Sequence, residues 1–515
     1  MYSKVFSVAV FGMSAFIVNV ETDVGFGLPS FEMSGELSVK IKESKERIRA
    51  AIKNSGIELN PQRILVNISP ADIKKDTTGF DLPIAAGILM ANKVLDDYIH
   101  ADTVIIGELS LDGHVNPVRG ILPCVCMARE KGFKRCIIPY SNLSEANIVS
   151  GIEIVGVSTL IQLIDFLKGN YKSEENIKSN VNCREDETQE QEKWSMDFAD
   201  VKGQELAKRA TLIAVAGMHN IMYIGSPGSG KTMLARRIPT IMPSLSFEES
   251  IELTKIYSIA GLLDERSPRI KKRPFRSPHH NITDAAMFGG GKVPKPGEVT
   301  LAGKGVLFLD EMTEYKTAML EALRQPLEDK RINISRLNYA CTYPADFMLA
   351  AAMNPCKCGF YPDRNRCNCS ENDIQRYIGR ISRPVWDRFD INVLVSLIDF
   401  SQISNAGTNK NSFNVLYNSK TMKNMVERAR KMQIERFKGT DISFNSEMSV
   451  NEINRYCYLG KDEKELMNRI YKKMDITARG YHKILKVSRT IADIEGAENI
   501  CIEHLSEAVS YRRNF

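Results

Sequence analysis

The chain has 515 residues, of which 43% are apolar and 26% charged, and Lys and Arg outnumber Asp and Glu by 69 to 63. That length exceeds what one hydrophobic core organises and predicts about three domains at roughly 150 residues each, while the apolar content excludes wholesale disorder. The net charge of +6 permits a polyanionic partner without arguing for one, because so small an excess is an ordinary solvated surface.

The eleven cysteines, an odd number and mostly scattered, do not make the dense framework of a small secreted domain. They predict a reducing, cytoplasmic location, with thiols or a metal site. No run of about 18 apolar residues occurs, so no membrane partner is expected. Lys4 followed by the apolar stretch Val5 to Val18 resembles a signal peptide. The runs Val5–Phe11 and Ala15–Val20 about Gly12-Met13-Ser14 predict a β-hairpin instead, and no small-x-small cleavage site follows.

Residues 1–168 mix apolar strands, Ile64–Ile68 and Thr103–Ile106, with helices over Ser44–Asn54 and Pro83–Asn92. Residues 169–195 read as an acidic linker, since Ser173 to Lys193 carry seven acidic and three basic side chains and almost no apolar ones. A second α/β region runs from 196 to about 400. Residues 401–515 begin with a polar stretch to Ser419 and continue as helices with basic faces, Met422–Phe437 and Asp462–Met474 among them.

Ile221-Met222-Tyr223-Ile224 is a short apolar strand leading into Gly225-Ser226-Pro227-Gly228-Ser229-Gly230-Lys231-Thr232 and then a helical run. This is a phosphate-binding loop in its strand–loop–helix setting. Its glycines let backbone N–H groups wrap phosphates at a helix N-terminus. Lys231 is expected to reach the β and γ phosphates of ATP, and the Thr232 hydroxyl to ligate Mg²⁺. Val306-Leu307-Phe308-Leu309 forms a buried strand ending in Asp310 and Glu311. Asp310 is expected in the Mg²⁺ shell and Glu311 as the base that polarises the attacking water. A third apolar strand, Met348–Met353, ends at Asn354, whose amide either orients that water or closes an ordinary turn. In Asp387-Arg388-Phe389-Asp390 the arginine is either a surface ion pair or a finger reaching a neighbour's nucleotide.

Directly after Asn354 stand Cys356, Cys358, Cys367 and Cys369, in the pattern C-x-C-x₈-C-x-C. Four thiolates on a short polar loop suit a tetrahedral Zn²⁺ that would fold a segment with little core of its own. The one-residue spacing departs from the common C-x₂-C, and four reduced thiols or a redox pair are the alternatives.

Taken in order, Asp200-Val201-Lys202-Gly203-Gln204, the phosphate loop, Leu307–Glu311, Asn354-Pro355 and Asp387–Asp390 resemble an AAA+ ATPase. Arg273-Pro274-Phe275-Arg276-Ser277-Pro278-His279-His280, Gly289-Gly290-Gly291, Pro296-Gly297-Glu298 and Leu323–Asp329 are similar to the magnesium-chelatase-like branch called YifB or ComM. The resemblance covers nearly the whole chain and implies a multidomain α/β protein. It would hold an N-terminal Lon-protease-like α+β domain, a P-loop core with a parallel sheet and a Cys₄ loop, and a C-terminal helical lid. It further implies a ring, usually a hexamer, with ATP between subunits, Arg388 acting in trans, and Arg479 as the lid's sensor arginine. One departure stands out: the family usually has Ala-His-x-Gly where this chain reads Ala302-Gly303-Lys304-Gly305. Similar paired cysteines also occur in the family.

The Lon-like match lies in Gly107–Gly113 and Pro117–Ile121. Lon-type peptidases need a serine activated by a lysine. Here the serine region reads Asp76-Thr77-Thr78-Gly79-Phe80-Asp81, and Leu122 beside Pro123 occupies the lysine region. A binding or scaffold role without peptidase activity is the expectation.

For the substrate, Arg266, Arg269, Lys271, Lys272, Arg273 and Arg276 crowd six positive charges into eleven residues, enough for several phosphates or for a solvated basic loop. Arg331–Arg336 followed by Tyr339–Tyr343 predicts a hairpin. In related motors a hairpin there contacts the DNA backbone, which makes Arg336 the candidate DNA contact. ComM-type relatives act as branch-migration helicases, so the resemblance implies a motor on single-stranded or branched DNA. The alternatives are a chelatase-type motor, against which the Lon-like domain is taken to count, and a protein-remodelling ATPase.

Overall fold

The structure is a computed structural model, and it describes residues 1–70, 75, 79–95, 102–170, 196–264, 267–291, 294–336, 339–397, 417–474 and 476–512. The acidic stretch 171–195, the polar stretch 401–416, Asp76, Thr77, Thr78 and Arg266 lie outside the described residues, as do the side chains of Arg336 and Tyr339.

The N-terminal part is built on a seven-stranded sheet. Strands β1 (Tyr2–Phe11) and β2 (Ser14–Gly25) form the hairpin the alternation predicts, with Phe11 opposite Ser14 across Gly12 at φ +60°. Strands β3 (Ser30–Ser34), β4 (Arg63–Ser69) and β5 (Thr103–Ile105) follow, then the short pair β6 (Glu108–Leu109) and β7 (Val115–Asn116), then β8 (Arg135–Pro139) and β9 (Glu153–Val157). The sheet order is β3-β4-β2-β1-β5-β8-β9, antiparallel through β4-β2-β1 and parallel elsewhere. The apolar helix Asp81–Ala91 is buried along its whole length against β1 and β2. Gly87 allows that close approach, because a Cβ there would stand 2.7 Å from Thr22 Oγ1.

Asp81 opens this helix in the region where a Lon peptidase keeps its serine. Its buried carboxylate meets Arg47 at 2.7 Å and accepts the Leu109 N–H at 3.1 Å. Leu122, in the lysine region, is fully buried in the core beneath helix Ile121–Glu130.

The second part is a five-stranded parallel sheet made of β10 (Ile221–Gly225), β11 (Phe275–Arg276), β14 (Val306–Leu309), β17 (Met348–Met353) and β18 (Ile391–Val395). Its order is β11-β14-β17-β10-β18. Two small antiparallel pairs stand apart from it: β12 (Gly289–Gly290) with β13 (Lys295–Pro296), and β15 (Arg331–Arg336) with β16 (Tyr339–Pro344). The period-two alternation divides the central strands between two cores. Ile221, Tyr223, Phe308, Ala350 and Ala352 face one, whereas Met222, Ile224, Leu309, Ala351 and Met353 face the other.

The first of these cores continues into the C-terminal helices Ser419–Arg436 and Ala478–Glu495 through Met422, Val426, Ile484 and Ile491. Asp493, 1% exposed, is held by Arg436, by Arg489 at 3.0 Å and by Asn445 at 2.8 Å. The N-terminal part docks on helix Phe247–Ala260, where the Gly120 N–H reaches Ser258 O at 3.2 Å and the Glu145 carboxylate accepts from the Ser258 hydroxyl.

Burial pushes the Asp81 carboxyl up to about 6, outweighing the opposing Arg47 charge. The unfolded carboxyl sits near ~3.9, so between these values the unfolded chain releases a proton that the folded chain keeps, and stability falls as pH rises through the window. Relative to wild type, Asp81→Asn therefore gains about 2–3 kcal/mol between pH ~4 and ~6.5, read from urea midpoints at each pH.

Candidate nucleotide site

The nucleotide site forms at the C-terminal edge of the parallel sheet, where three adjacent strands release their chains. After β10 the backbone turns through Gly228 (φ +77°) and Gly230 (φ +93°) into helix Lys231–Ile241. These left-handed positions favour glycine and aim successive N–H groups into one concavity. A Cβ on Gly225 would overlap Val395 O of the neighbouring strand, so the loop's first residue is fixed by packing. Ser229 is buried with its hydroxyl lacking a partner. Gln204, in the segment before the first helix of this part, donates to Ser229 O at 3.3 Å.

Lys231 Nζ donates to Gly225 O at 2.6 Å, Ser226 O at 2.9 Å and Asn354 Oδ1 at 3.1 Å. Burial lowers its pKa, and the charges of Asp310 and Glu311 oppose that shift. Thr232 Oγ1 donates to Asp310 Oδ2 at 2.7 Å. Glu311 takes φ +50°, a strained conformation for a residue with a Cβ, and its N–H donates to Asp310 Oδ1 at 3.0 Å. Its side chain is exposed beside the buried Asp310 strand. Lys231, Thr232, Asp310, Glu311 and Asn354 are thus one cluster, drawn from three segments more than 120 residues apart at their extremes. A concave loop of amides, an orphaned buried hydroxyl, a lysine folded onto loop carbonyls and a hydroxyl–carboxylate pair form a donor set that fits a Mg²⁺–nucleoside triphosphate.

Arg388 and Arg479 lie elsewhere. Arg388 precedes β18, and its carbonyl accepts from Asn220, the residue before β10, at 2.9 Å. It therefore sits at the N-terminal edge of the sheet, one strand length from the chain's own phosphate loop. Arg479, the second residue of helix Ala478–Glu495, meets it there. Both guanidiniums donate to Glu328 Oε1, Arg479 at 2.6 Å. Arg388 is 5% exposed, and its Nε and Nη1 are buried without a partner. Burial and the Arg479 charge lower the Arg388 pKa, while the hydrogen bond from Arg479 and the charge of Arg388 hold the Glu328 carboxyl down. A cavity of about 420 Å³ between core and lid is bordered here by Glu328, Arg388, Arg479, Lys483 and Lys486. Glu328 lies in a segment singled out by the sequence, yet nothing in its spacing marked it as the shared acceptor.

The four cysteine sulfurs lie within 4.8 Å of one another, with Cys356–Cys358, Cys358–Cys367 and Cys356–Cys367 at 3.3, 3.5 and 3.7 Å. A disulfide requires ~2.05 Å, whereas a tetrahedron of Zn–S bonds of ~2.3 Å has edges of about 3.8 Å. The cluster fits a tetrathiolate ion.

The basic segment corrects the sequence reading in two places. Arg273 is buried, donating to Pro243 O and Lys304 O at 2.6 Å and pairing with Glu249 at 2.9 Å. Arg276 makes a forked pair with Glu298, both bonds 2.6 Å. These two hold the fold together and do not face a phosphate backbone. Arg269 lies over the Phe247 ring. In the departing segment, Lys304 takes φ +53° and pairs with Asp346 at 2.8 Å. The β15–β16 hairpin forms as expected, with Arg336 opposite Tyr339.

Three family models match this chain. Residues 197–403 match the family described as "Magnesium chelatase, subunit ChlI", residues 20–142 "Subunit ChlI of Mg-chelatase", and residues 417–512 "Magnesium chelatase, subunit ChlI C-terminal". The chain is 38% identical over 508 residues to Competence protein ComM of Haemophilus influenzae, covering 99% of this chain and 97% of that protein. It is 36% identical over 504 residues to YifB of Escherichia coli K12, covering 98% and 96%. Lon protease 2 of Bacillus subtilis is 32% identical over 136 residues, 26% of this chain and 24% of that protein. Since residues 20–142 match a chelatase-subunit description, the N-terminal domain does not count against a chelatase-type role.

Glu328→Ala leaves two guanidiniums without their common acceptor. We expect a loss of about 1–3 kcal/mol in urea unfolding, with Glu328→Gln recovering part of it.

Proposed function

The chain belongs to the YifB/ComM family of magnesium-chelatase-like AAA+ ATPases, and from that premise we propose that it is a ring-forming, ATP-hydrolysing motor that remodels single-stranded or branched DNA. The observation that carries the ATPase reading is the cluster of Lys231, Thr232, Asp310, Glu311 and Asn354 at one sheet edge. When bound, Mg²⁺ would neutralise charge on the β and γ phosphates, with Thr232 and Asp310 as its protein partners. Lys231 would exchange its bonds to the loop carbonyls for phosphate oxygens. The Glu311 carboxylate would take the proton of the attacking water, and the Asn354 amide would orient that water.

Arg388 and Arg479 are proposed to act on the nucleotide of the next subunit, with the unpartnered Nε and Nη1 of Arg388 as the donors a phosphate would accept from. The motor is proposed to be hexameric. The DNA part of the reading is supported by the full-length similarity to a protein named for competence and by the β15–β16 hairpin, with Arg336 as a candidate backbone contact. Cys356, Cys358, Cys367 and Cys369 are proposed to hold one Zn²⁺.

Glu311→Gln should lower kcat by about 10²–10⁴-fold while leaving ATP binding nearly intact. An unchanged steady-state rate would remove Glu311 from the role of base. Hydrolysis should be stimulated by DNA, most by four-way junctions, and less at higher salt as phosphate contacts are screened. Intact basal hydrolysis that no DNA stimulates would favour the chelatase-type or protein-remodelling motor. The purified chain should carry one zinc per protomer by elemental analysis.

A further inference from the structure

The cysteine loop borders the nucleotide cluster at three places. It begins two residues after Asn354, whose side-chain oxygen receives Lys231. At its middle, Gly359 takes φ +84° and lies so close to the phosphate loop that a Cβ there would overlap Cδ of Pro227. At its end, helix Glu371–Ile378 packs Ile374 onto Cys356 and Cys367 in a small core of its own. From the same helix the Tyr377 hydroxyl accepts from Thr313 Oγ1 at 2.7 Å, and just beyond it Arg380 pairs with Glu314 at 3.0 Å. Thr313 and Glu314 belong to the turn that follows Glu311. One short segment thus bears on the phosphate loop, on the water-orienting amide and on the turn carrying the base.

That segment has only a small apolar core, supplemented by the Arg366 and Cys367 N–H groups on Asp363 O and by Arg364 and Arg366 over the Tyr361 and Phe360 rings. Its core consists of Cys356, Cys367 and Ile374, with Phe360 and Tyr361 at the margin. With so small a core, the loop would gain much of its order from a cross-linking ion. Resting on the tetrathiolate reading above, we propose that the four-cysteine loop is a clamp through which metal occupancy and nucleotide binding strengthen each other. With the ion held, Gly359 buttresses Pro227 and helix Glu371–Ile378 keeps the turn after Glu311 in place. With the ion gone, the buttress loosens and the phosphate loop loses its backing. Thermodynamic linkage makes the effect reciprocal: nucleotide that needs the ordered loop must raise the equilibrium affinity for the metal by the factor by which the metal raises the affinity for nucleotide.

The test uses the full chain, with two readouts that do not depend on hydrolysis. Zn²⁺ affinity is measured by equilibrium competition with a chromogenic chelator, with and without saturating ADP, and the affinity for a fluorescent N-methylanthraniloyl-ADP is measured before and after stripping. The expected result is Zn²⁺ affinity raised at least about five-fold by ADP, with a matching weakening of nucleotide affinity in stripped protein. Gly359→Ala keeps all four thiolates but sets a methyl against Pro227. It should weaken analogue binding while the protein still takes up Co²⁺ with the charge-transfer absorption of a tetrathiolate site. A chain that binds one Zn²⁺ yet shows both affinities unchanged within two-fold overturns the proposal alone. A chain that takes up neither Zn²⁺ nor Co²⁺ overturns the tetrathiolate reading, and the proposal with it.

Discussion

The structure depends on one short strand. β10 pairs in parallel with β17 and with β18, and its two ends serve different chemistry. At the Gly225 end the chain opens into the phosphate loop. At the Asn220 end, Asn220 receives the N–H groups of Asp390 and Ile391 at 3.0 and 3.2 Å and gives its amide to Arg388 O. Five residues at ~3.3 Å each separate these ends by roughly 16 Å. Within one chain, Lys231 and Arg388 therefore stand at opposite edges of the sheet. A parallel sheet makes this separation firm, because its strands are buried on both faces and cannot slide without exposing a whole hydrophobic set.

The helical C-terminal part reinforces the same polarity. It packs on the core face that includes Tyr223 and Phe308, and it brings Arg479 to the Arg388 edge, where Glu328 gathers both guanidiniums. Lys483 pairs with Asp390 at 2.8 Å, and the second side of that buried carboxylate meets His219 at 3.3 Å. Glu328 neutralises a cation that would otherwise be buried alone, at a cost of several kcal/mol by general experience with such charges. Glu328 thus joins core and lid at the edge remote from Lys231. The N-terminal domain is attached through helix Phe247–Ala260, which also anchors Arg273 by way of Glu249.

The sequence was most legible where local pattern and chemistry coincide. Strand, glycine loop and helix in immediate succession marked Gly225 to Thr232, and unbroken apolar strands located Asp310, Glu311 and Asn354, because a fully buried parallel strand leaves a plain signature. The N-terminal hairpin was readable for the related reason that alternation has a period of two. Tertiary pairing was less legible. Arg273 and Arg276 look like phosphate ligands in a basic run, and only the fold reveals Glu249 and Glu298 opposite them. Glu328 and the Gly359–Pro227 contact likewise depend on residues brought together across long separations, which no spacing rule encodes.

The central proposal is that one chain carries two incomplete halves of a hydrolytic site, which a second copy completes. Mixing subunits tests it directly. Protomers with Lys231→Ala and protomers with Arg388→Ala should each be inactive alone, and hydrolysis should reappear on mixing, as intact Lys231 and intact Arg388 meet across an interface. If Arg388→Ala alone hydrolyses ATP at the wild-type rate, or if the mixture stays as inactive as its parts while still assembling, the account of Arg388 acting between subunits is contradicted.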